Sequence, residues 1–251
     1  MLRIKSINKN LNSKDYNLIL LNKIDSTNNY AKKLPKLFDN TVIIAKRQTS
    51  GRGRLGKSFI STKGGLYLSC IVKPYSSSFN AGLITACAAV AVSKAIKEVC
   101  GIKCGIKWVN DLYIKGKKVC GILSETIQFE GSESNIIIGV GINVNRFKPK
   151  GELKEIATSL GEHTKKAVDI NLLAARIINN IYTELNKAIN LEFLKEYREK
   201  SIVIGKEVEV IVGDEKYTAT ALRINDDCSL TVLKDNEEIN LNFGEISVKT
   251  R

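Results

Sequence analysis

The stretch that most constrains this chain is residues 47–57, where three glycines and four cationic side chains follow an apolar segment predicted to be a strand. Gly51, Gly53 and Gly56 permit positive φ and close backbone approach, which is typical of a loop rather than of a regular element. Arg52 and Arg54 in this loop offer charge-assisted donors for carboxylate or phosphate oxygens. Taken alone, the stretch fits two interpretations equally well. One is an anion-binding loop, and the other is a solvated basic loop, including one that touches nucleic acid.

Composition indicates a globular protein of one large domain, or of one domain plus a small appendage. Of its 251 residues 43% are apolar, and 39 basic against 26 acidic side chains give a net charge of +13. This charge favours an acidic partner, which is nucleic acid, an acidic protein domain or ATP. Because the lysines are spread along the chain, we interpret the charge as a compositional bias rather than a nucleic-acid footprint.

No stretch approaches the ~20 apolar residues that a membrane helix requires, and the basic N-terminus lacks a signal-peptide core. The six cysteines form no CxxC pair, and His163 is the one histidine, so zinc spacing is absent. We therefore expect a cytoplasmic protein with free thiols and no membrane contact. A nucleophilic cysteine is a minority hypothesis, since one distant histidine offers no evident base partner.

Hydrophobic periodicity predicts strands and helices in the first 200 residues, and five short strands after them. The expected α+β architecture is a mixed or antiparallel sheet with helices packed on one face. The first part has predicted strands at 18–24, 41–46, 65–73, 104–109, 112–115, 118–128 and 135–143, and predicted helices at 28–34, 79–100, 169–188 and 191–200. The five later strands, at 207–212, 217–224, 229–233, 238–243 and 246–249, favour a small β-barrel.

Five sequence blocks occur in the order typical of one family, at residues 25–28, 48–57, 107–113, 118–125 and 139–143. On these blocks the chain resembles the biotin protein ligases. It departs from the family pattern at Lys57, Phe59 and Val109, where members commonly carry Arg, Trp and Pro. These departures remove neither a charge nor an aromatic ring.

The resemblance implies a catalytic domain at residues 1–200 and a C-terminal SH3-like β-barrel domain at residues 201–251. It implies the family form without a DNA-binding module, because about twenty residues precede the first predicted core strand, too few for three helices. We therefore expect no binding to a DNA operator. A monomer and a homodimer are both compatible with the sequence.

The implied activity is ATP-dependent ligation of biotin to protein. Biotin is first activated as biotinyl-5′-AMP with release of pyrophosphate, and is then transferred to a lysine of a biotin carboxyl carrier domain. The substrates are ATP and biotin, and Mg²⁺ is expected to accompany the nucleotide.

The resemblance also assigns residues to these steps. Lys118 and Arg54 are the expected catalytic residues, and they must meet in space although they lie in separate segments. Expected biotin-binding residues are Ser26, Thr27, Asn28, Gln48, Gly51, Arg52, Gly53, Arg54, Lys118 and Gly121. Expected ATP-binding residues are Arg54, Lys57, Phe59, Lys107, Asn110 and Asn143.

Several of these residues have a structural alternative. Ser26 and Thr27 are also suited to capping a helix, which is compatible with ligand binding. Asp111 is a candidate for a water-mediated Mg²⁺ ligand, and the structural alternative is a hydrogen bond within its own turn. Trp108 is expected in the core rather than against adenine. Without the resemblance, Lys118 and its neighbour Lys117 would both be interpreted as solvated hairpin lysines.

Three other functions remain open. A lipoate or octanoate transferase of the related fold also acylates a carrier lysine, but lacks the glycine-rich loop paired with residues 107–111. A basic nucleic-acid-binding module without catalysis predicts salt-sensitive oligonucleotide binding. A biotin sensor that binds without transfer would not need Arg54 and Lys118.

Overall fold

The structure is a computed structural model that describes residues 1–34, 40–73, 81–127, 135–145, 147, 149–242 and 245–248. Some sequence predictions lie outside these residues: a helix stop at Pro35, the first residues of the 79–100 helix, the turn at 131–134 and the turn at Gly244. Among the described residues, no helix is long and apolar enough to span a bilayer.

The predicted helices are confirmed with small changes at their ends. Asp169 caps its helix as expected, since its Oδ1 accepts from the backbone N of Asn171 at 2.9 Å and of Leu172 at 3.2 Å. The helices are α1 Ile4–Asn8, α2 Thr27–Lys32, α3 Ala81–Cys100, α4 Leu153–Ile156, α5 Ile170–Lys187 and α6 Glu192–Glu199. Helices α1 and α4 were not predicted, because four or five residues are too few to show a hydrophobic period.

The larger sheet has seven strands in the order β1, β2, β3, β7, β6, β5, β4. Its strands are β1 Asn17–Leu21, β2 Thr41–Ala45, β3 Leu66–Val72, β4 Gly105–Lys107, β5 Asp111–Ile114, β6 Lys117–Ile127 and β7 Asn135–Ile142. The β1–β2 pair is parallel and every other pair is antiparallel, so the predicted mixed sheet is confirmed.

Helices cover the sheet unequally. The long helices α3 and α5 pack together, and they contact the sheet through β3, β5, β6 and β7. The short helix α2 lies on the other face, where Ala31 packs against Ile43, Ile71 and Ile137. Strands β2 and β3 are buried along their whole length for this reason. Helix α2 is thereby held over the middle of the sheet, next to β2, β3 and β7.

The C-terminal residues form the second predicted unit, a five-stranded antiparallel sheet. Its strands are β8 Glu207–Val212, β9 Glu215–Ile224, β10 Leu230–Lys234, β11 Glu237–Leu241 and β12 Glu245–Val248, in the order β11, β10, β9, β8, β12. Tight turns with positive φ at Gly213 and Asn236 join consecutive strands. The domain boundary at residue 200 stays a prediction.

Buried hydrogen bonds connect the C-terminal sheet and α6 to the turn between β4 and β5. The Trp108 side chain is 4% exposed, and its Nε1 donates to the Cys228 carbonyl at 2.8 Å. The Tyr197 hydroxyl of α6 donates to the Val109 carbonyl at 2.9 Å and is fully buried. The expected core position of Trp108 is therefore confirmed, and the turn at 108–110 is fixed from two sides.

We expect Tyr197→Phe to lower the free energy of unfolding by about 1–3 kcal/mol, because the buried Val109 carbonyl would lose its hydrogen-bond donor. Urea unfolding followed by circular dichroism measures this. Tyr182→Phe removes a partly buried hydrogen bond from the tyrosine hydroxyl to the Ile71 carbonyl. It should lower the free energy of unfolding by less than Tyr197→Phe does. If Tyr182→Phe lowered the free energy of unfolding as much as Tyr197→Phe or more, the greater contribution of the fully buried Tyr197–Val109 hydrogen bond would be contradicted.

Candidate active site

One part of the site is a neutral polar cluster at the start of α2. Ser26 is the N-cap residue, and its Oγ accepts from the Asn29 backbone N at 3.5 Å. Thr27 and Asn28 occupy the first turn, and all three side chains are at least 95% buried. The helix cap and the cluster are thus the same residues, as the sequence allowed.

Gln48 is fixed by this cluster. The backbone N and the Oγ1 of Thr27 donate to Gln48 Oε1 at 2.8 and 3.1 Å. Gln48 Nε2 in turn donates to Ser61 Oγ at 2.8 Å, and Ser61 Oγ donates to the Phe59 carbonyl at 2.9 Å. The chain of bonds connects α2 to both ends of the glycine-rich loop.

The Asn28 amide is held by two side chains that were not predicted to belong to the site, Ser69 and Glu125. Its Oδ1 lies 2.6 Å from the buried Ser69 Oγ, and its Nδ2 donates to Glu125 Oε2 at 2.7 Å. The amide lies directly against Gly139, so closely that a Cβ there would overlap Asn28 Oδ1. No local pattern marks Ser69, and Glu125 ends the 118–125 block without an assigned role. Both lie in strands and become relevant only through pairing.

The glycine-rich loop folds back on itself as a hairpin. The Gly53 N donates to the Lys57 carbonyl at 2.6 Å, and the Phe59 N donates to the Gly51 carbonyl at 2.8 Å. The turn uses positive φ at Leu55 (51°) and Gly56 (75°). At Gly51 a Cβ would overlap the Phe59 carbonyl and Ser61 Oγ, so glycine is required there by close approach.

A cavity of about 410 Å³ brings together cations from both predicted segments. The loop supplies Arg52, Arg54 and Lys57, and the β4–β6 region supplies Lys107 and Lys118. The other predicted residues that line it are Gly53, Phe59, Asn110, Asp111, Gly121 and Asn143. Arg54 and Lys118 therefore face one cavity, although 63 positions separate them in the sequence.

A narrower recess of about 30 Å³ adjoins this cavity and contains the α2 cluster and Gln48. The two spaces share Arg52, Phe59, Gly121 and Leu123 as walls. The Phe59 ring narrows the recess, since a Cβ on Gly141 would approach its Cε1 to 2.8 Å. A recess whose polar lining is neutral apart from the shared Arg52 is thus continuous with a cationic chamber.

Lys118 and Lys117 have different surroundings. Lys118 Nζ lies 2.7 Å from Asp111 Oδ2 and 6.0 Å from the centre of the Phe59 ring, inside the cavity. Lys117 Nζ donates to the Lys154 carbonyl at 2.6 Å, away from it. The other carboxylate oxygen of Asp111 is buried and has no hydrogen-bond partner within the described part of the chain.

The two asparagines predicted to orient a nucleotide also support the backbone. Asn110 Nδ2 donates to the Ile122 carbonyl at 2.8 Å, and Asn143 Nδ2 donates to the Thr158 carbonyl at 3.1 Å. Each side chain is therefore held in a fixed direction at the wall of the cavity.

Further wall residues escaped the sequence analysis: Tyr113, Phe147, Leu153, Ile156 and Ile246. Lys107 Nζ lies 5.7 Å from the centre of the Tyr113 ring, and burial raises the pKa of that phenol to about 12. Ile246 belongs to the C-terminal sheet, so both units contribute to the cavity. In the sequence these wall residues share only an aromatic or apolar side chain. Such side chains are too common along the chain to indicate a binding site.

The six cysteines are free thiols, and burial raises the pKa of each. Burial raises the pKa of the Cys70, Cys104 and Cys228 thiols to about 12, which keeps them protonated at neutral pH. Within the described ranges no group of three or more His, Cys, Asp or Glu side chains is suited to hold a metal ion.

Two family models match the chain. The Biotin/lipoate A/B protein ligase family matches residues 20–143, and the Biotin protein ligase C terminal domain matches residues 203–249. The first match contains every predicted site residue, and the second covers the C-terminal sheet.

Individual relatives agree with these matches. The chain is similar to "Biotin protein ligase from Aquifex aeolicus in complex with biotin and ATP", with 32% identity, a TM-score of 0.81, and coverage of 94% of this chain and 99% of that one. It is 29% identical over 216 residues to "Biotin--[acetyl-CoA-carboxylase] ligase" of Mycobacterium tuberculosis, covering 83% of this chain and 79% of the relative.

It is also 42% identical over 135 residues to "Bifunctional ligase/repressor BirA" of Bacillus subtilis, covering 52% of this chain. That match spans 41% of the Bacillus protein, less than half its length.

We expect Gly139→Ala to lower the free energy of unfolding by about 1–3 kcal/mol, because the new methyl group would displace the hydrogen-bonded Asn28 amide. Gly141→Ala should lower the free energy of unfolding by less, since its methyl group meets the end of the half-buried Phe59 side chain rather than a hydrogen-bonded amide. Urea unfolding of both variants measures the difference. Equal stability losses would contradict the tight packing of Asn28 against Gly139.

Proposed function

The chain belongs to the biotin protein ligase family, and we propose that it is an ATP-dependent biotin protein ligase. It activates biotin as biotinyl-5′-AMP and transfers biotin to a lysine of a carrier protein. The observation that supports this best is the cationic cavity, in which Arg54 and Lys118 meet beside a neutral polar recess. A carboxylate and a triphosphate both require positive charge, whereas an uncharged ureido ring requires neutral donors and acceptors.

Activation is an electrostatic problem. A carboxylate oxygen of biotin attacks the α-phosphorus of ATP, the bond to the β-phosphate oxygen breaks, and pyrophosphate leaves with that electron pair. Two anions approach each other, and the transition state spreads negative charge over the phosphate oxygens. Fixed cations at this point lower the barrier most where water is excluded.

We assign the catalytic charges to Lys118 and Arg54. Lys118 lies between the carboxylate and the α-phosphate, and Asp111 at 2.7 Å holds its ammonium group in the cavity until substrates bind. Arg54 grips the carboxylate and the acyl-phosphate oxygen with its planar fork. Both residues line the same cavity from separate segments of the chain, so both face the space in which the reacting atoms would lie.

The neutral recess is the biotin site. The ureido ring has one acceptor oxygen and two N–H donors, and it would meet Ser26, Thr27, Asn28 and Gln48. The backbone at Gly51 and Gly53 shapes the loop over the ring, and Arg52 closes it. Gly121 lines the path of the valeryl chain, where a side chain would intrude.

The cationic cavity is the ATP site. Lys57 and Lys107 face the outer phosphates, Asn110 and Asn143 orient the nucleotide, and Phe59 stacks on it or covers it. A Mg²⁺ ion fits as a companion of the triphosphate rather than as a resident metal, because Asp111 offers one buried oxygen without a partner among the described residues. Bound there, Mg²⁺ would neutralise phosphate charge, and Asp111 would hold it through water.

The glycine-rich loop acts as a lid. Its Phe59 ring narrows the recess, so the loop must shift for biotin to enter and then close again over the adenylate. Closure keeps water from the mixed anhydride. Transfer then requires the neutral amine of a carrier lysine to attack the carbonyl carbon, with AMP as the leaving group and a proton lost from nitrogen. The net charge of +13 would attract an acidic carrier domain.

We expect Lys118→Ala to slow biotin-dependent exchange of pyrophosphate into ATP by about 10²–10³-fold, because one well-placed cation is removed from the transition state. Lys117→Ala is the matched control and should stay within a few fold, since Lys117 Nζ binds the Lys154 carbonyl outside the cavity. Exchange by the unmodified protein that proceeds equally without biotin would refute the assignment as a biotin ligase.

We expect biotin to be preferred over lipoate and octanoate by at least about a hundredfold in kcat/KM of the same exchange reaction. An apolar or dithiolane tail in the recess would supply none of the hydrogen bonds that a ureido ring offers to the polar groups of Thr27, Asn28 and Gln48. Octanoate-dependent exchange as fast as the biotin reaction would favour the related acyl transferases instead.

A further inference from the structure

Glu125 is a carboxylate at the back of the recess to which the proposed mechanism assigns no role. It lies in β6, and its side chain is 23% exposed. Its Oε1 accepts from Lys32 Nζ at 2.6 Å, and its Oε2 accepts from Asn28 Nδ2 at 2.7 Å. One carboxylate therefore bridges two residues of α2, one of which lines the recess.

Both partners of Glu125 are donors, so the bridge requires a group that only accepts. An ionised carboxylate meets this requirement, whereas an amide or a protonated acid would bring an N–H or O–H against one of the donors. Burial alone would raise the pKa of Glu125, but the hydrogen bonds from Lys32 and Asn28 and the nearby charges of Lys32 and Arg52 hold it below its ordinary value. The carboxylate is thus ionised at neutral pH.

This bridge is the shortest contact of the Asn28 amide nitrogen, and it acts with two further contacts to determine which way the amide points. Its Nδ2 faces two acceptors, Glu125 Oε2 at 2.7 Å and the Leu123 carbonyl at 3.3 Å. An inverted amide would set its oxygen against both, at the cost of two hydrogen bonds. In the observed orientation Asn28 Oδ1 lies against Gly139 and near Ser69 Oγ, on the side of the recess.

A carbonyl oxygen in this position suits the N–H of a cyclic urea. We propose that Glu125 is a positioning residue for biotin, which acts by fixing the Asn28 amide so that its oxygen accepts from a ureido N–H. This inference rests on the proposed function. Lys32 neutralises the charge of Glu125, so that the recess presents an oriented neutral amide rather than an anion to the ring.

The principal test is Glu125→Gln in the pyrophosphate exchange assay, with biotin and ATP varied separately. The KM for biotin should rise about tenfold, as expected for losing a hydrogen bond to a charged group. The KM for ATP and kcat should stay within about threefold, since the variant leaves the cationic cavity intact. An unchanged KM for biotin, or an equal rise in both KM values, would overturn the proposal.

Lys32→Met distinguishes the orientation of the Asn28 amide by Glu125 from the Lys32–Glu125 ion pair as the cause of the effect on biotin binding. This variant breaks the ion pair but keeps the bond between Glu125 and Asn28, so it should raise the KM for biotin by less than Glu125→Gln does. Equal effects of the two variants would mean that the ion pair, and not the orientation of Asn28, is what matters.

A double-mutant cycle tests whether Glu125 acts through Asn28. Biotin binding measured by calorimetry should weaken in Asn28→Ala, and Glu125→Gln should then weaken it no further. Additive losses would refute action through Asn28.

Glu184→Gln is the matched structural control. Glu184 is 5% exposed and bonds Lys94 at 2.8 Å within the α3 and α5 layer, on the opposite face of the sheet from α2. It should lower the melting temperature without changing the KM for biotin. If the unmodified protein shows no biotin-dependent exchange, the proposed function fails; if it does and Glu125→Gln behaves like Glu184→Gln, only the inference about Glu125 fails.

Discussion

The site depends on holding like charges together. Arg52, Arg54, Lys57, Lys107 and Lys118 line one cavity, and their mutual repulsion opposes folding unless other interactions offset it. Asp111 offsets part of it through its bond to Lys118 at 2.7 Å. The scaffold also opposes it, because the two segments that carry these cations are attached to strands of one sheet. Substrate anions would relieve the same repulsion, which couples ligand binding to stability.

The two segments that carry the cations differ in how firmly they are attached to the rest of the protein. The 107–111 turn is fixed by Trp108 and Tyr197 through buried hydrogen bonds to main-chain carbonyls. The glycine-rich loop is instead closed on itself by its own backbone bonds, with Leu55 exposed at its tip. One wall is therefore suited to positioning and the other to opening and closing, which is the division that a reaction with a water-sensitive intermediate requires.

Much of the fold followed from periodicity. Helices α3 and α5 and the strands around them were predicted because their apolar positions recur over many residues. The loop from Gly51 to Lys57 was predicted because its glycines permit positive φ and its arginines offer donors for anions, a combination typical of a loop rather than of a regular element. Ser69 and Glu125 were not, since a serine and a glutamate in strands are ordinary and their importance arises only where β3, β6 and α2 come together.

The sequence by itself determined the chemistry of the site: which cations, amides and glycines are present, and which segments carry them. Their geometry was decided only by tertiary structure. Strand pairing set the distance between the loop and the β5–β6 hairpin, and directed Lys118 into the cavity and Lys117 out of it. The reason is physical: a side chain's type is local, but its direction and its partners depend on strand register and on contacts distant in sequence.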